Sequence, residues 1–483
     1  MKRRAAVYGL ATYAAAESIF YLWRENKIRE IDASRVSYDD FDEKKRSEVM
    51  AYILRNEFHR ERGAKWLSKW FFERPLSEIY EDEALTFLTW AFFNKSNHKE
   101  LSENERRELK MYLDRMKRSG HFELMPRNAI AVTSRRNDAS SGTRSIRMMR
   151  PNQDSIVSFV RHKPLCFYFL NDVIVQSCLV PLAMNALSFE RRTLVAESSS
   201  YEMDVWVRRA SVDDDESTAL DRSEEPIVLM HGIGIGLLPY LPLIRDIVSS
   251  NRRRNLYVFN MPHVAMTAPK PWRADVDRHF VGPAPDDFVY AIDAMLKDAR
   301  RRGELSTNSK RAVFVGHSYG CWPVTWLVNR RPDLVRRAVF VDPVCVGSHR
   351  ADLARRFLYD PGMDSKEHES ETLVRYVAKQ LINRDPRVVA LLCRNFKWYD
   401  NILDVERIAR DVPELWFHFS EKDEYFDTES ALEDILAARD PSVGAFVWSD
   451  CGHGDFLFCK GRREDVVQSA LGRKTRQIPH KTL

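Results

Sequence analysis

The chain divides where the spacing of its apolar residues changes. Over residues 24–130 apolar side chains recur at three- and four-residue steps, as on helices. The sets are Ala51, Tyr52, Leu54 and Phe58, then Trp66, Leu67, Trp70 and Phe71, then Ala84, Leu85, Phe87, Leu88, Ala91 and Phe92. Such aromatic stripes read as core, not as ligand sites. Residues 133–153 are rich in Ser, Arg and Asn, lack that period, and read as a mobile linker or extended segment. A second apolar stretch, Leu165–Leu187, contains Asn171, Asp172 and Gln176, and Pro181 is expected to kink it. It reads as a helix packed near the following domain and touching lipid, in preference to a membrane span.

From about residue 191 short β-branched runs take over. Met203–Val207, Ile227–Met230, Leu256–Asn260, Ala312–Val315, Ala338–Val341, Leu415–Phe419 and Ala445–Trp448 read as strands, most of them separated by helix-sized gaps. Apolar strands spaced in this way predict an α/β fold, a mostly parallel sheet with helices on both faces. The acidic stretch Asp213–Glu225 reads as a solvated turn. The gap from Pro343 to Val412 is too long for one crossover, and its helical content (Leu373–Leu381, Val388–Cys393) suggests a cap or lid insert. The expected division is a mainly helical region over 1–190, an α/β domain over 191–471 with a cap at 343–412, and a basic tail over 472–483.

Composition narrows the function classes. Among 483 residues, 44% are hydrophobic and 30% charged, a globular balance. The net charge of +5 comes from 75 basic and 70 acidic side chains, and no basic run is interleaved with aromatics, so nucleic acid is not an expected partner. Seven cysteines, an odd number without a C-x-x-C pair, read as free thiols in a reducing, intracellular compartment, and zinc-type spacing is absent. Neither a metal nor a cofactor is expected. Near the start, Lys2, Arg3 and Arg4 precede an apolar run, Ala5–Trp23, interrupted by Glu17. The leading reading is an interfacial or anchoring helix at a membrane surface, with a true span and a soluble packing helix as alternatives, since Glu17 is costly at mid-bilayer.

The chemistry concentrates in four places. Val313-Phe314-Val315 leads into Gly316-His317-Ser318-Tyr319-Gly320 and then a helical stretch, Trp322–Val328. A G-x-S-x-G between strand and helix makes a sharp turn that exposes a serine oxygen, and the glycines remove the side chains that would clash there. The amide of Tyr319 then points at a developing oxyanion. Upstream, Ile227–Met230 runs into His231-Gly232-Ile233-Gly234-Ile235-Gly236, the place for a second oxyanion donor: Ile233 first, Gly234 second. That run lacks the third glycine at dinucleotide spacing and the Lys-Ser/Thr of a phosphate loop. The acid and base are expected after the serine. Asp423 follows the strand Leu415–Phe419, with Asp427, Glu424 and Asp342 as rivals. His453 lies in Asp450-Cys451-Gly452-His453-Gly454 after the last strand, and only His480 competes with it. In these roles His453 takes the proton of Ser318, Asp423 orients the imidazole, and an acyl-enzyme forms and is hydrolysed. A serine at 318 argues against epoxide or haloalkane hydrolysis, where an aspartate would occupy that position.

On the elbow Gly316–Gly320, the turn His231–Gly234, Asp423 and His453, the chain resembles the α/β-hydrolase superfamily of the serine-nucleophile type over about residues 191–470. More narrowly it resembles eukaryotic, largely fungal and algal, α/β-hydrolase proteins with a helical N-terminal extension. The segments that carry this are Trp66–Phe72, Leu88–Phe93, His231–Pro242 and Trp398–Leu403. The resemblance implies a membrane-proximal enzyme. Of the last segment, Trp398, Tyr399 and Asn401 read as core packing, with pocket lining as the alternative. The expected function is hydrolysis of a carboxylic ester, with a lipid acyl ester among the candidate substrates. The alternatives are acyl transfer or thioester hydrolysis with the same triad, a non-catalytic binding protein on this scaffold, or an N-terminal docking module carrying the enzyme as passenger.

Overall fold

The computed structural model describes residues 2–34, 36–58, 62–126, 146–195, 202–210, 225–268, 282–306, 310–359 and 379–473. Its strands are β1 (Glu190–Val195), β2 (Glu202–Arg208), β3 (Ile227–Met230), β4 (Leu256–Asn260), β5 (Ala312–His317), β6 (Val335–Val341), β7 (Leu415–Ser420) and β8 (Val443–Trp448). They form one sheet in the order β1-β2-β4-β3-β5-β6-β7-β8. β1 and β2 pair antiparallel with each other, and β2 with β4; every other pair is parallel. Strands β3 and β5 are buried at every residue, which is why they read as unbroken apolar runs. β1 escapes a sequence reading because Glu190-Arg191-Arg192-Thr193 is charged: it is the sheet edge, where charge discourages further pairing.

Alternate side chains of the central strands face opposite layers. Val228, Met230 and Phe314 pack with helices Pro285–Arg301 and Cys321–Arg330, while Leu229, Val313 and Val315 pack with helices Leu241–Ser250 and Lys460–Leu471. The N-terminal region contributes α1 (Lys2–Ala33), α2 (Glu43–Glu57), α3 (Arg62–Trp70), α4 (Glu81–Phe93) and α5 (Glu103–Gly120). Their core takes in Ala351, Tyr399 and Ile402 from beyond β6. The Tyr399 ring stacks on Phe41 with centroids 3.8 Å apart, and the Trp398 indole N–H donates to the Ala91 carbonyl at 3.0 Å. Asn401 accepts from the Trp326 indole at 2.8 Å. All three are therefore packing residues. The same seam buries Glu57 at the end of α2, which pairs with His349 Nε2 (2.6 Å) and Arg350 Nε (2.7 Å); Arg350 reaches on to Asp434 (2.6 Å).

Part of the expected linker is structure. Met148 and Met149 are buried, the Met149 amide donates to the Trp70 carbonyl at 3.0 Å, and the Trp90 indole donates to Asn152. Two methionines among arginines are too short an apolar signal to show a period. Residues 133–145 of that linker, 213–224 of the acidic turn, 373–378 of the expected cap helix and 474–483 of the tail lie outside the described residues.

The apolar stretch 165–187 forms one helix, α6 (Leu165–Ala186), the one helix among the described residues long and apolar enough to cross a membrane by length and composition. Ala5–Trp23, within α1, does not meet that measure. Ahead of Pro181 the α6 backbone widens into π turns over Leu170–Leu179 and returns to α geometry over Val180–Ala186. The irregularity expected at Pro181 thus takes the form of wide turns within a continuous helix.

Candidate active site

Strand β5 ends at His317, and Ser318 follows with φ of +54°, a left-handed conformation rare for a residue with a side chain. Only close packing sustains it. A Cβ built on Gly320 would lie 2.2 Å from the Met230 carbonyl oxygen, and one on Gly316 would lie 2.4 Å from the Gly320 oxygen. Both neighbours are backbone and cannot swing away. Gly320→Ala is therefore expected to cost about 3 kcal/mol or more, through overpacking at the β3–β5 junction. Urea unfolding checks this, and an unchanged midpoint would refute it.

The structure brings Ser318, His453 and Asp423 together. His453 Nε2 lies 2.8 Å from Ser318 Oγ, and its Nδ1 lies 2.6 Å from Asp423 Oδ2. A carboxylate at Nδ1 keeps the proton there and leaves Nε2 as acceptor toward the serine. Asp423 is itself held by the Tyr425 amide at 2.8 Å. Burial pushes the Asp423 carboxyl above its usual range, and His453 pulls against that rise. Burial also opposes charge on His453, but the Asp423 carboxylate outweighs it, so the imidazole titrates above the ordinary histidine range.

The rivals for the acid have other work. Asp342, at the end of β6, is fully buried and accepts the amides of Ser420 (3.0 Å) and Gly454 (2.8 Å). It thereby ties the acid loop and the histidine loop to the sheet. Asp427 caps helix Thr428–Ala437 by accepting the Ser430 amide. Glu424 accepts the His453 amide at 2.8 Å. Asp342, Asp423 and His453 also offer ligand atoms within 4.8 Å of one another, a spacing a cation could use. The hydrogen bonds just given already engage those atoms, so the donor set is accounted for without a metal.

Two glycine-turn candidates separate. The Gly234 amide donates to the Val264 carbonyl at 3.0 Å, which removes it as an oxyanion donor, and the Gly232 amide donates to Tyr240 Oη at 2.7 Å. Ile233 is the candidate that stays, and both it and Tyr319 line the cavity that holds Ser318. Tyr240 has a role the sequence did not flag. Besides accepting from Gly232, its hydroxyl hydrogen-bonds with His317 Nδ1 at 2.5 Å, so it couples the glycine turn to the serine elbow. His317 Nε2 then faces Asp342 at 3.5 Å. His231 is a brace: it accepts the Met261 amide at 2.9 Å, and burial lowers its pKa to about 4 and keeps it neutral.

A cavity of about 630 Å3 opens on Ser318 and His453. Leu353, Phe357, Leu381, Ile382 and Leu392 line it from the segment after β6, Trp322 from the elbow helix, Phe167 from α6, and Leu457 and Phe458 from the turn after His453. Lys379 and Glu424 are charged groups in its wall. Each methylene of a substrate drawn into such a wall gains about 0.8 kcal/mol.

The family model described as the alpha/beta hydrolase family matches residues 206–468. No curated protein matches, so the narrower likeness to fungal and algal proteins rests on its sequence segments alone. Among solved structures the chain is similar to a thermophilic esterase from Thermogutta terrifontis, with 12% identity, a TM-score of 0.38, and coverage of 59% of this chain and 97% of that one. A carboxylesterase from Bacillus subtilis gives 14%, 0.38, 64% and 99% in the same order. A membrane phospholipase A described as a bacterial virulence factor gives 10%, 0.39, 64% and 93%.

Proposed function

The chain belongs to the alpha/beta hydrolase family, and from that premise we propose that it is a serine hydrolase that cleaves a carboxylic ester with an apolar acyl group through an acyl-enzyme on Ser318. The observation that carries this reading is the hydrogen-bonded run Ser318–His453–Asp423, at 2.8 and 2.6 Å, opening on an apolar cavity. In this mechanism His453 removes the Ser318 proton as Oγ attacks the ester carbonyl. The amides of Tyr319 and Ile233 hold the oxyanion, and Asp423 steadies the imidazolium. His453 returns the proton to the leaving alcohol and then activates water to release the acid.

A fluorophosphonate probe tests the reading. Wild-type protein is expected to label, and Ser318→Ala and His453→Ala to label at background. Folded wild-type protein that does not label, with detergent present to open the cavity, would overturn the enzyme reading in favour of a binding protein.

The raised imidazole pKa sets a second expectation. His453 must be neutral to accept a proton, so kcat/KM rises with pH through its pKa, and the midpoint of that rise lies above the ordinary value of 6.5. Asp423→Asn removes the charge that raises it. The midpoint is expected to move toward acid while kcat falls roughly 10⁴-fold, because the tautomer is lost. A pH profile whose midpoint is unmoved by this substitution would show that another group sets the limb.

A further inference from the structure

We propose that α6 is the edge through which this protein docks on a lipid bilayer, lying in the plane of the membrane and delivering a membrane-resident lipid ester to Ser318. This rests on the serine-hydrolase reading and names the source of its substrate.

The two sides of α6 differ in kind. One side is fastened to the loops around the site. Asn171 Nδ2 donates to the carbonyls of Ala265 and Met266, each at 3.0 Å, and Gln176 Nε2 donates to the Ile235 carbonyl at 2.8 Å. Asp172 accepts the Ala268 amide at 2.9 Å. Val180 and Met184 continue the buried side into the layer beneath the sheet. Asn171, Asp172 and Gln176, which interrupt this apolar stretch, thus each make a hydrogen bond to the loops around the site. The other side is bare: Phe169 (61% exposed), Leu170 (58%) and Leu182 (67%) stand out from it, with Val173, Ile174 and Leu179 between them.

A crossing helix would have to surrender that fastened side, together with Tyr168, Val180 and Met184, which are buried against the protein. Both ends of α6 are also tied to the body. Lys163, just before it, pairs with Asp385 in a buried contact, and Phe189, just after it, is in the core. A helix with one polar, satisfied side and one apolar, exposed side sits at an interface; it does not pass through one.

The bare side is not an isolated patch. Of the nineteen large hydrophobic residues exposed among the described residues, six are on α6 and seven on α1 (Val7, Tyr8, Leu10, Tyr13, Ile19, Tyr21 and Leu22). These helices are joined at Glu17, which accepts the Leu165 amide (2.8 Å) and faces His162 Nε2 (2.7 Å). Scattered apolar exposure needs no explanation, but thirteen of nineteen on two connected helices does. The most exposed of the nineteen, Phe458 at 80%, lies in the wall of the catalytic cavity, as does Phe167 of α6. α6 thus carries apolar side chains both on its bare side and, through Phe167, in the wall of the cavity that opens on Ser318, which suits an occupant able to pass an apolar substrate from one to the other, as a bilayer can.

The test uses full-length protein and vesicles of phosphatidylcholine, alone or with phosphatidylserine. Wild-type protein is expected to float with vesicles. The variant Phe169→Ser/Leu170→Ser/Leu182→Ser is expected to lose at least tenfold in bound fraction and in turnover of a diacylglycerol carried in the vesicles. It should keep turnover of soluble p-nitrophenyl butyrate within twofold. A second readout needs no variant: Cys178, exposed on α6, should react at least fivefold more slowly with a charged maleimide once vesicles are added. Undiminished flotation of the variant, or an unchanged Cys178 rate, overturns the proposal. So does a wild-type dimer in lipid-free buffer that the variant converts to monomer without any vesicle binding, since the face would then seat a second copy. Loss of flotation in a protein that turns over neither ester supports docking and overturns the hydrolase reading.

Discussion

Ser318→Ala is expected to lower kcat/KM for a p-nitrophenyl ester by about 10⁴- to 10⁶-fold, and His453→Ala by a similar factor. The serine and histidine act as one unit. With Oγ gone there is nothing for Nε2, 2.8 Å away, to deprotonate, and with the imidazole gone Oγ keeps its proton. The double variant should therefore be no slower than the slower single variant, within about tenfold. Additive losses would mean that the two residues stabilise separate steps, and the acyl-enzyme mechanism would fail. Whatever rate remains above the uncatalysed reaction belongs to the oxyanion donors and the apolar cavity, which neither substitution touches. Because Ser318 stands in a left-handed conformation, alanine there bears the same backbone strain as serine, and the comparison isolates the hydroxyl.

The largest stability effect is expected far from the serine. Glu57→Ala leaves Arg350 buried beside Asp434 with one anion fewer, and breaking a buried pair from one side costs about 3–5 kcal/mol. Chemical denaturation with circular dichroism measures it; a loss under about 1 kcal/mol would show that water reaches the seam. Burial alone would raise the Glu57 carboxyl, but its bonds from His349 and Arg350 overcome that and bring the pKa down to about 2. A carboxyl whose folded pKa is depressed stabilises the fold above its unfolded pKa. That contribution fades as pH falls from about 4.5 toward 2. The shift corresponds to about 3 kcal/mol at neutral pH. Wild-type stability should thus drop between those pH values more steeply than that of Glu57→Gln.

What the sequence revealed depended on how local each signal was. Val313–Gly320 is legible because strand, turn and helix are contiguous, and each glycine answers a clash within a few residues. His453 is legible because few histidines follow the acid loop. Choosing between Asp423 and Asp342 needs to know which carboxylate reaches Nδ1, a matter of two loops meeting over the sheet. Ile233 stands ahead of Gly234 on paper, but it is the Val264 carbonyl, about thirty residues on, that separates them by taking the Gly234 amide. Glu17 looks like a flaw in an apolar run until Leu165 and His162 supply its partners. Tyr240 falls in the segment His231–Pro242, but its role carries no signal, since its partner His317 is 77 residues away. β1 is hidden by its own charges, which suit an edge and defeat a search for apolar alternation.

The division of α6 into a fastened and a bare side also bears on how the protein can be handled. Resurfacing its outward positions with small polar residues changes what the molecule presents to solvent and leaves Asn171 and Gln176 in place. Truncation does the opposite. Removing residues 1–190 takes away Val180, Met184 and Phe189 from beneath the sheet, strips the hydrogen bonds from the Ile235, Ala265 and Met266 carbonyls, and uncovers the seam at Arg350. A crystallisation or screening form free of detergent is therefore to be sought by repainting one side of a single helix on the intact chain. The catalytic half cut out by itself would exchange a small sticky face for a larger one.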